Sequence, residues 1–230
     1  KNIKSLFNNS DLKIERVISK PLALGIDLLN KNKVSKNFLS INLDKEITSV
    51  SLYEGSSLVF LKIFPFGTNS IYRDISQLCS LKENEIKNII AKINLQGNNE
   101  KENKYIQKDF FSESQFKKLS ICHLFNITKA RTIEILDYVY NKNINLNYAN
   151  HKISKVHLFF EDENIMDNLG KLFQESLKVD QSKTQIELSK LNDYSALSGA
   201  AELIFKGWDK EAIPMSSRKK SIISGFFERF

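Results

Sequence analysis

The charged turn Asp44-Lys45-Glu46 places two carboxylates and an amine next to one another in the sequence. It lies between two apolar β-type runs, residues 38–43 and 47–53. A turn between strands can hold a phosphate on its backbone N–H groups when glycines leave those groups accessible, but this turn has no glycine. The sequence leaves open whether the turn only reverses the chain or once held a phosphate.

Other residue types that carry chemistry are sparse. The two cysteines, Cys79 and Cys122, are far apart, and no Cys-x-x-Cys spacing is present. The three histidines form no ligand pattern with them. The sequence therefore predicts no zinc site and no disulfide framework, and it favours buried structural thiols.

Composition indicates a globular protein of the cytoplasm. The 230 residues are 41% hydrophobic, which is enough for a sizeable core. No apolar run reaches the roughly 20 residues of a membrane-spanning helix, and the first residues lack the apolar core of a signal peptide. The chain begins with Lys1, so we expect part of the protein to precede it. The net charge of +7 comes from scattered lysines, a pattern that an AT-rich genome explains better than nucleic-acid binding does.

Apolar periodicity predicts alternating strands and helices. The expected strands are at residues 14–18, 38–43, 47–53, 58–64, near 105–106, and in the run KVHLFFED. The first expected helix follows Pro21 and runs through Leu29. The second follows Pro65 and has Ile71, Ile75 and Leu78 on one face. Further helices are expected to start near Leu81 and near Phe116, to cover NIMDNLGKLFQESL, and to begin at Asp193. The stretch between residues 94 and 116 is polar and is predicted to be mostly loop.

The last 13 residues, RKKSIISGFFERF, predict an amphipathic helix that lies on a membrane surface. Ile222, Ile223, Phe226, Phe227 and Phe230 follow the spacing of one helical face. Lys219, Lys220 and Arg229 supply positive charge for anionic lipids. The alternative is a terminal helix that packs on the protein's own core.

This order of elements resembles the C-terminal part of FtsA proteins, the bacterial cell-division members of the actin-like ATPase superfamily. The likeness is carried by LKIERVISKPLALGIDLL, FLSINLDKEITSVSLYEGSSLVFLKIFPFGTNSIYRDIS, ITKARTIEILDYV, SALSGAAELI and the basic, Phe-rich end. It implies an α/β, actin-like (ribonuclease H-like) ATPase fold, with a mixed β-sheet flanked by helices and an N-terminal portion outside the chain.

The resemblance also implies a domain plan. The implied parts are 1–35, the end of a first domain and a connecting helix; 36–80 with 152–190, the core of the second domain; 81–151, an inserted subdomain; 191–207, a helix returning to the first domain; 208–217, a linker; and 218–230, the membrane-targeting helix.

By resemblance, ATP with Mg²⁺ is the cofactor. The implied contact residues are Asn42, Asp44, Lys45, Gly67, Lys87 and Phe160. The family's phosphate loop reads Asp-Ile-Gly-Gly-Gly-Thr-x-Asp, whereas residues 42–49 here keep neither acidic position and none of the three glycines. A later Leu-Thr-Gly-Gly site appears as Leu-Phe-Phe-Glu at residues 158–161, and we expect Phe160 and Glu161 to fill space near the ligand. These losses predict that ATP binding is weakened or lost.

A partner site is implied on the helix that carries Arg131 and Glu134, with Lys129 beside them. In FtsA proteins the matching positions contact the C-terminal tail of FtsZ, and an arginine can pair with a carboxylate of such an acidic tail. The alternative is a surface ion pair between residues i and i+3.

The resemblance therefore implies a cell-division adaptor that tethers FtsZ filaments to the cytoplasmic membrane at the septum. It would be a peripheral membrane protein and at most a weak ATPase. It would be able to self-associate and to bind other divisome proteins, and it would not bind nucleic acid. One alternative is an active, ATP-binding, filament-forming FtsA ATPase. Another is an actin-like scaffold of type IV pilus assembly, which gives no reason for the Phe-rich end.

Overall fold

A five-stranded mixed sheet forms the centre of the computed structural model, which describes residues 14, 17–31, 37–55, 57–93, 104–148, 152–180 and 182–205. The strands are β1 (Phe38–Leu43), β2 (Thr48–Glu54), β3 (Ser57–Phe64), β4 (Lys155–Phe160) and β5 (Gln185–Lys190). Their order is β3-β2-β1-β4-β5. The pairs β1–β2 and β2–β3 are antiparallel, whereas β1–β4 and β4–β5 are parallel.

Helices cover both faces of the sheet. They are α1 (Lys20–Lys31), α2 (Asn69–Cys79), α3 (Glu83–Lys92), α4 (Ile121–Leu136), α5 (Ile144–Asn147), α6 (Glu163–Ser176) and α7 (Asp193–Phe205). A 3₁₀ turn, Lys108–Phe110, precedes α4, and a π-helical turn, Asp137–Asn141, extends it. The main core joins one face of the sheet to α2, α3, α4 and α6, and a smaller apolar cluster joins the other face to α1.

Close contacts fix α1 between the sheet and α7. The Tyr53 hydroxyl donates a hydrogen bond to the Leu22 carbonyl at 3.2 Å. A Cβ on Gly25 would lie 2.0 Å from that hydroxyl, and a Cβ on Gly199 would lie 1.8 Å from the Ala23 carbonyl oxygen. Only glycines permit these approaches, so the small residues of α7 serve a tight helix crossing.

The meander predicted at residues 38–64 is confirmed, with β1 as expected and small shifts at the ends of β2 and β3. Several other expectations are corrected. Residues 14 and 17–19 are not in a strand. Near Tyr105 there is only an isolated bridge to Ser120, and α4 begins at Ile121. Leu78 is exposed, because the buried surface of α2 is formed by Ile71, Tyr72, Ile75 and Cys79.

The strand β5 was not predicted, although its sequence QIELSK has the alternation of polar and apolar residues that is typical of a half-buried strand. The start of α7 also differs slightly. The side chain of Asn192 accepts a hydrogen bond from the Tyr194 N–H at 2.9 Å, so Asn192 occupies the capping role that was expected of Asp193. The linker and the terminal amphipathic segment, residues 206–230, lie outside the described residues.

A buried carboxylate organises the segment between α3 and α4. Glu85 is fully buried and accepts hydrogen bonds from the Ser114 hydroxyl and from the backbone N–H groups of Lys82, Glu113 and Ser114. Burial acts to raise the pKa of Glu85, but these hydrogen bonds outweigh burial and lower the pKa to about 2. The carboxylate therefore stays ionised and ties the loop before α4 to the start of α3.

The buried histidine of β4 is an uncharged core residue. His157 packs against the rings of Phe38 and Phe159. Its pKa is lowered to about 4, mainly by burial and also by the charge of Lys155, while the charge of Glu187 opposes this shift. The imidazole is therefore neutral at pH 7.

Protonation of His157 makes the stability depend on pH. In the unfolded chain His157 is protonated near pH 6.5, whereas in the folded protein it is protonated only near pH 4. The free energy of unfolding therefore falls as the pH falls from about 6.5 to about 4. We expect the free energy of unfolding to fall by about 1–2 kcal/mol between pH 7 and pH 5. Denaturant unfolding at both pH values tests this, and the same fall in the His157→Phe variant would contradict it.

Candidate functional site

The turn between β1 and β2 is closed by backbone hydrogen bonds from within the protein. The Asp44 N–H donates to the Ile47 carbonyl at 3.0 Å. The Asp44 carbonyl accepts from the Thr68 N–H at 3.0 Å, and the Lys45 carbonyl accepts from the Asn69 N–H at 2.9 Å. The N–H groups at the start of α2, a usual place for an anion, are therefore bonded to this turn.

Gly67 is the residue that lets the turn and α2 come together. A Cβ at this position would lie 2.2 Å from the Asp44 carbonyl oxygen and 2.6 Å from the Lys45 carbonyl carbon. The structure thus gives Gly67 a packing role against the turn itself. Whether it also contacts a nucleotide stays a prediction.

A carboxylate of the protein lies on the backbone of the turn. The Lys45 N–H donates a hydrogen bond to Glu161 Oε2 at 2.8 Å, and Lys45 Nζ lies 3.8 Å from Glu161 Oε1. Glu161 directly follows β4, and its own N–H donates to the Leu43 carbonyl at 3.1 Å. The Glu161 carboxylate therefore accepts a hydrogen bond from a backbone N–H group of the kind that would bind a phosphate.

The carboxylate of Asp44 adds negative charge at the same edge. Burial raises the pKa of Asp44, Lys20 acts to lower it, and the negative charges of Glu161 and Asp193 act to raise it further. The Oδ1 atom of Asp44 is buried without a hydrogen-bond partner. This electrostatic environment opposes the approach of an anion.

Glu46, the third residue of the turn, is held by α2. Its Oε1 atom accepts a hydrogen bond from the Asn69 side-chain amide at 2.7 Å, and its Oε2 atom accepts one from Arg73 at 2.6 Å. Arg73 was not among the residues selected from the sequence. Arg73 lies four residues after Asn69 on α2, so both side chains reach Glu46. The sequence does not indicate this contact, because it depends on the packing of the Asp44–Glu46 turn on α2.

Two of the expected nucleotide contacts are buried in the fold. Asn42 accepts a hydrogen bond from Ser40 Oγ at 3.2 Å and donates one to Ser49 Oγ at 2.9 Å, within the sheet. Phe160 does not fill space at the turn, contrary to expectation, because its side chain is fully buried and packs edge-on against Phe173.

Lys87 lies apart from these residues. It is on α3, where Lys87 Nζ forms an exposed ion pair with Glu83. The structure therefore brings Asp44, Lys45 and Gly67 together and leaves Lys87 outside the group. Residues Glu161, Asp193 and Arg73 join the group instead.

The described residues of the turn do not fit a nucleotide phosphate. The N–H groups of Asp44 and Lys45 are both bonded within the protein, and the nearest carboxylates carry the wrong charge. Among the residues that the structure describes, no group of three or more His, Cys, Asp or Glu side chains is arranged to hold a metal ion.

The expected partner site contains an ion-pair network. Arg131 on α4 makes two hydrogen bonds to the Asp74 carboxylate on α2, at 2.5 and 2.7 Å. Its Nη1 atom also lies 2.8 Å from Glu134 Oε2. The i, i+3 ion pair predicted as the alternative is present, and the stronger contact is the pair with Asp74, which joins two helices.

A shallow groove of about 500 Å³ runs beside this network. Its lining residues are Ala130, Ile133, Glu134, Asp137, Tyr138 and Lys142. Tyr138 is 62% exposed and its ring lies 6.0 Å from that of Phe66. Lys129 places its amine over the Phe125 ring at 5.5 Å. The groove is thus lined by one exposed aromatic ring and by charged side chains of both signs, and Lys129 is not part of this lining.

The described helices include none that is long and apolar enough to cross a membrane. The segment selected as a membrane anchor, residues 218–230, lies outside the described residues, so the structure does not place it.

Comparison with solved structures identifies the class of fold. The archaeal actin homologue Ta0583 superposes with a TM-score of 0.50 at 11% identity, over 83% of this chain and 56% of that one. MreB 5 of Spiroplasma citri bound to AMPPNP gives 0.48 at 11% identity, over 80% and 58%. The ethanolamine utilization protein EutJ from Carboxydothermus hydrogenoformans gives 0.47 at 8% identity, over 73% and 48%.

The chain therefore has an actin-like fold, as the sequence predicted. It spans about half to three-fifths of the length of these three neighbours. No protein-family model matches the sequence, and comparison with curated proteins gives no match either.

The contact of Glu161 with the turn can be tested by hydrogen exchange. A hydrogen bond to a charged acceptor contributes about 1 kcal/mol more than one to a neutral acceptor, so Glu161→Gln should speed exchange of the Lys45 amide about fivefold. The matched control is Glu163→Gln, which removes an exposed ion pair with Lys190 and should leave that amide unchanged. Equal exchange at Lys45 in the original protein and in Glu161→Gln would show that the carboxylate does not hold the turn.

Proposed function

We propose that this chain is part of an FtsA-like adaptor that tethers FtsZ filaments to the cytoplasmic membrane without depending on bound nucleotide. The observation that carries the proposal is the hydrogen bond from the Lys45 N–H to Glu161, which supplies an anion from the protein itself. A turn stabilised in this way keeps its conformation without ATP. Binding, and not hydrolysis, is then the main activity.

The groove on α4 suits a short amphipathic peptide such as a filament-protein tail. Apolar side chains of the tail would cover Tyr138 and Ile133, where exposed apolar surface favours contact. Glu134 is about half exposed, so an acidic group of the tail can replace it on Arg131 at little cost. Asp74 would keep Arg131 in place throughout the exchange.

The terminal segment supplies the second function of a tether. Its five large apolar residues and its basic residues are spaced for one face of a helix at an anionic membrane surface. One amphipathic helix binds membranes reversibly, so avidity along a filament would strengthen attachment. The partner groove and the membrane segment are separate in sequence, as a tether requires.

Reconstitution tests both contacts. We expect the full-length protein to bring FtsZ to vesicles that contain anionic lipid, measured by co-sedimentation. Deletion of residues 218–230 should abolish vesicle binding and leave FtsZ binding in solution intact. Tyr138→Ser should weaken FtsZ binding about 5- to 30-fold, the usual cost of losing an aromatic contact residue.

Tyr148→Ser is the control for the groove, since Tyr148 is also an exposed tyrosine but does not line it. Vesicle binding that survives the deletion would refute the membrane role. Equal FtsZ binding by Tyr138→Ser and Tyr148→Ser would refute the groove as the partner site.

A further inference from the structure

The outermost strand of the meander presents an exposed apolar edge. Strand β3 pairs with β2 on one side, and no strand among the described residues pairs with its other side. Val59, Leu61 and Ile63 are 45%, 36% and 51% exposed. This edge is distinct from the Asp44–Glu46 turn and from the groove on α4.

Such an edge is a template for another strand. An edge strand leaves backbone N–H and C=O groups unpaired, and proteins usually protect it with charges, prolines, bulges or a cover. Here the register between β2 and β3 shifts once, between Leu52 and Tyr53 of β2. The regular part of β3 is therefore limited to its later residues. Lys62 is the single charged residue of SLVFLKIF.

The charges and the apolar pattern indicate what would pair with this edge. The Lys62 amine lies 5.0 Å from the centre of the Phe64 ring, so the strand's only cation already has a contact. The strand has no acidic residue. An apolar strand with few charges is therefore the favoured partner, and β3 itself has that composition.

We propose that two copies of this chain pair through β3, antiparallel and with Leu61 opposite Leu61. In this register Phe60 faces the partner's Lys62. The two Lys62 side chains are then not directly opposite each other, which removes a like-charge contact. The pairing is isologous and closes as a dimer, so it does not by itself extend into a fibre.

The dimer should be weak and dependent on concentration. The regular part of β3 after the register shift, residues 60–64, is about 17 Å long, and one strand pair covers less area than a standard stable interface. Analytical ultracentrifugation of the full-length protein over a concentration series should therefore show a monomer–dimer equilibrium.

Opposite charges at the central position give a specific test. Leu61→Lys and Leu61→Glu each place like charges opposite each other in the dimer, so each variant alone should be at least tenfold weaker in dimerisation. An equal mixture of the two should regain dimerisation, because Lys then faces Glu. A matching thermal unfolding midpoint for both variants shows that each is folded.

Leu78 provides the matched control, because it is an exposed leucine on α2 and not on β3. Leu78→Lys and Leu78→Glu should each dimerise like the original protein. The proposal is overturned if the original protein remains monomeric throughout the series. It is also overturned if mixing the two Leu61 variants restores nothing, or if the Leu78 variants lose dimerisation equally.

Discussion

The parallel pairing of β1 with β4 is the constraint on which the candidate site depends. Its register places Leu43 beside Phe160, so the residues that follow each strand emerge at the same edge of the sheet. The Lys45 amide and the Glu161 carboxylate, 116 residues apart in the sequence, thereby come within hydrogen-bond distance. In open α/β sheets this edge is the usual place for a ligand.

In this chain the protein's own side chains occupy that place. Glu161 lies on the turn from one side, and Asn69 and Arg73 hold Glu46 from the other. An intramolecular anion loses little translational freedom when it binds, unlike a free nucleotide. The turn between β1 and β2 can therefore be stable although it has no glycine that would let a phosphate bind its backbone. The actin-like fold can then serve as a scaffold for contacts elsewhere.

Local patterns in the sequence predicted the elements but not all of their contacts. Alternation and turn residues predicted the meander, and the resemblance directed attention to the turn between β1 and β2. Strict strand alternation also places Phe160 on the same face as Leu158, in the core, so its burial was available from the sequence. The edge strand β5 was missed, although the alternation of polar and apolar residues in QIELSK was also available from the sequence.

Contacts that depend on long-range pairing were beyond the sequence. The pair between Arg131 and Asp74 joins α4 to α2, and nothing in the spacing of either helix indicates it. Three of the four hydrogen bonds to Glu85 likewise require a loop that folds back on α3. A buried glutamate in an amphipathic helix resembles an exposed one until its partners are known.

Equilibrium binding of a fluorescent ATP analogue to the full-length protein, with and without Mg²⁺, tests the central claim most directly. The account predicts no saturable binding up to roughly millimolar analogue, because the turn is already bonded to Glu161. Saturable, Mg²⁺-dependent binding at micromolar concentration would contradict it, and would show that the site at the ends of β1 and β4 still serves a nucleotide.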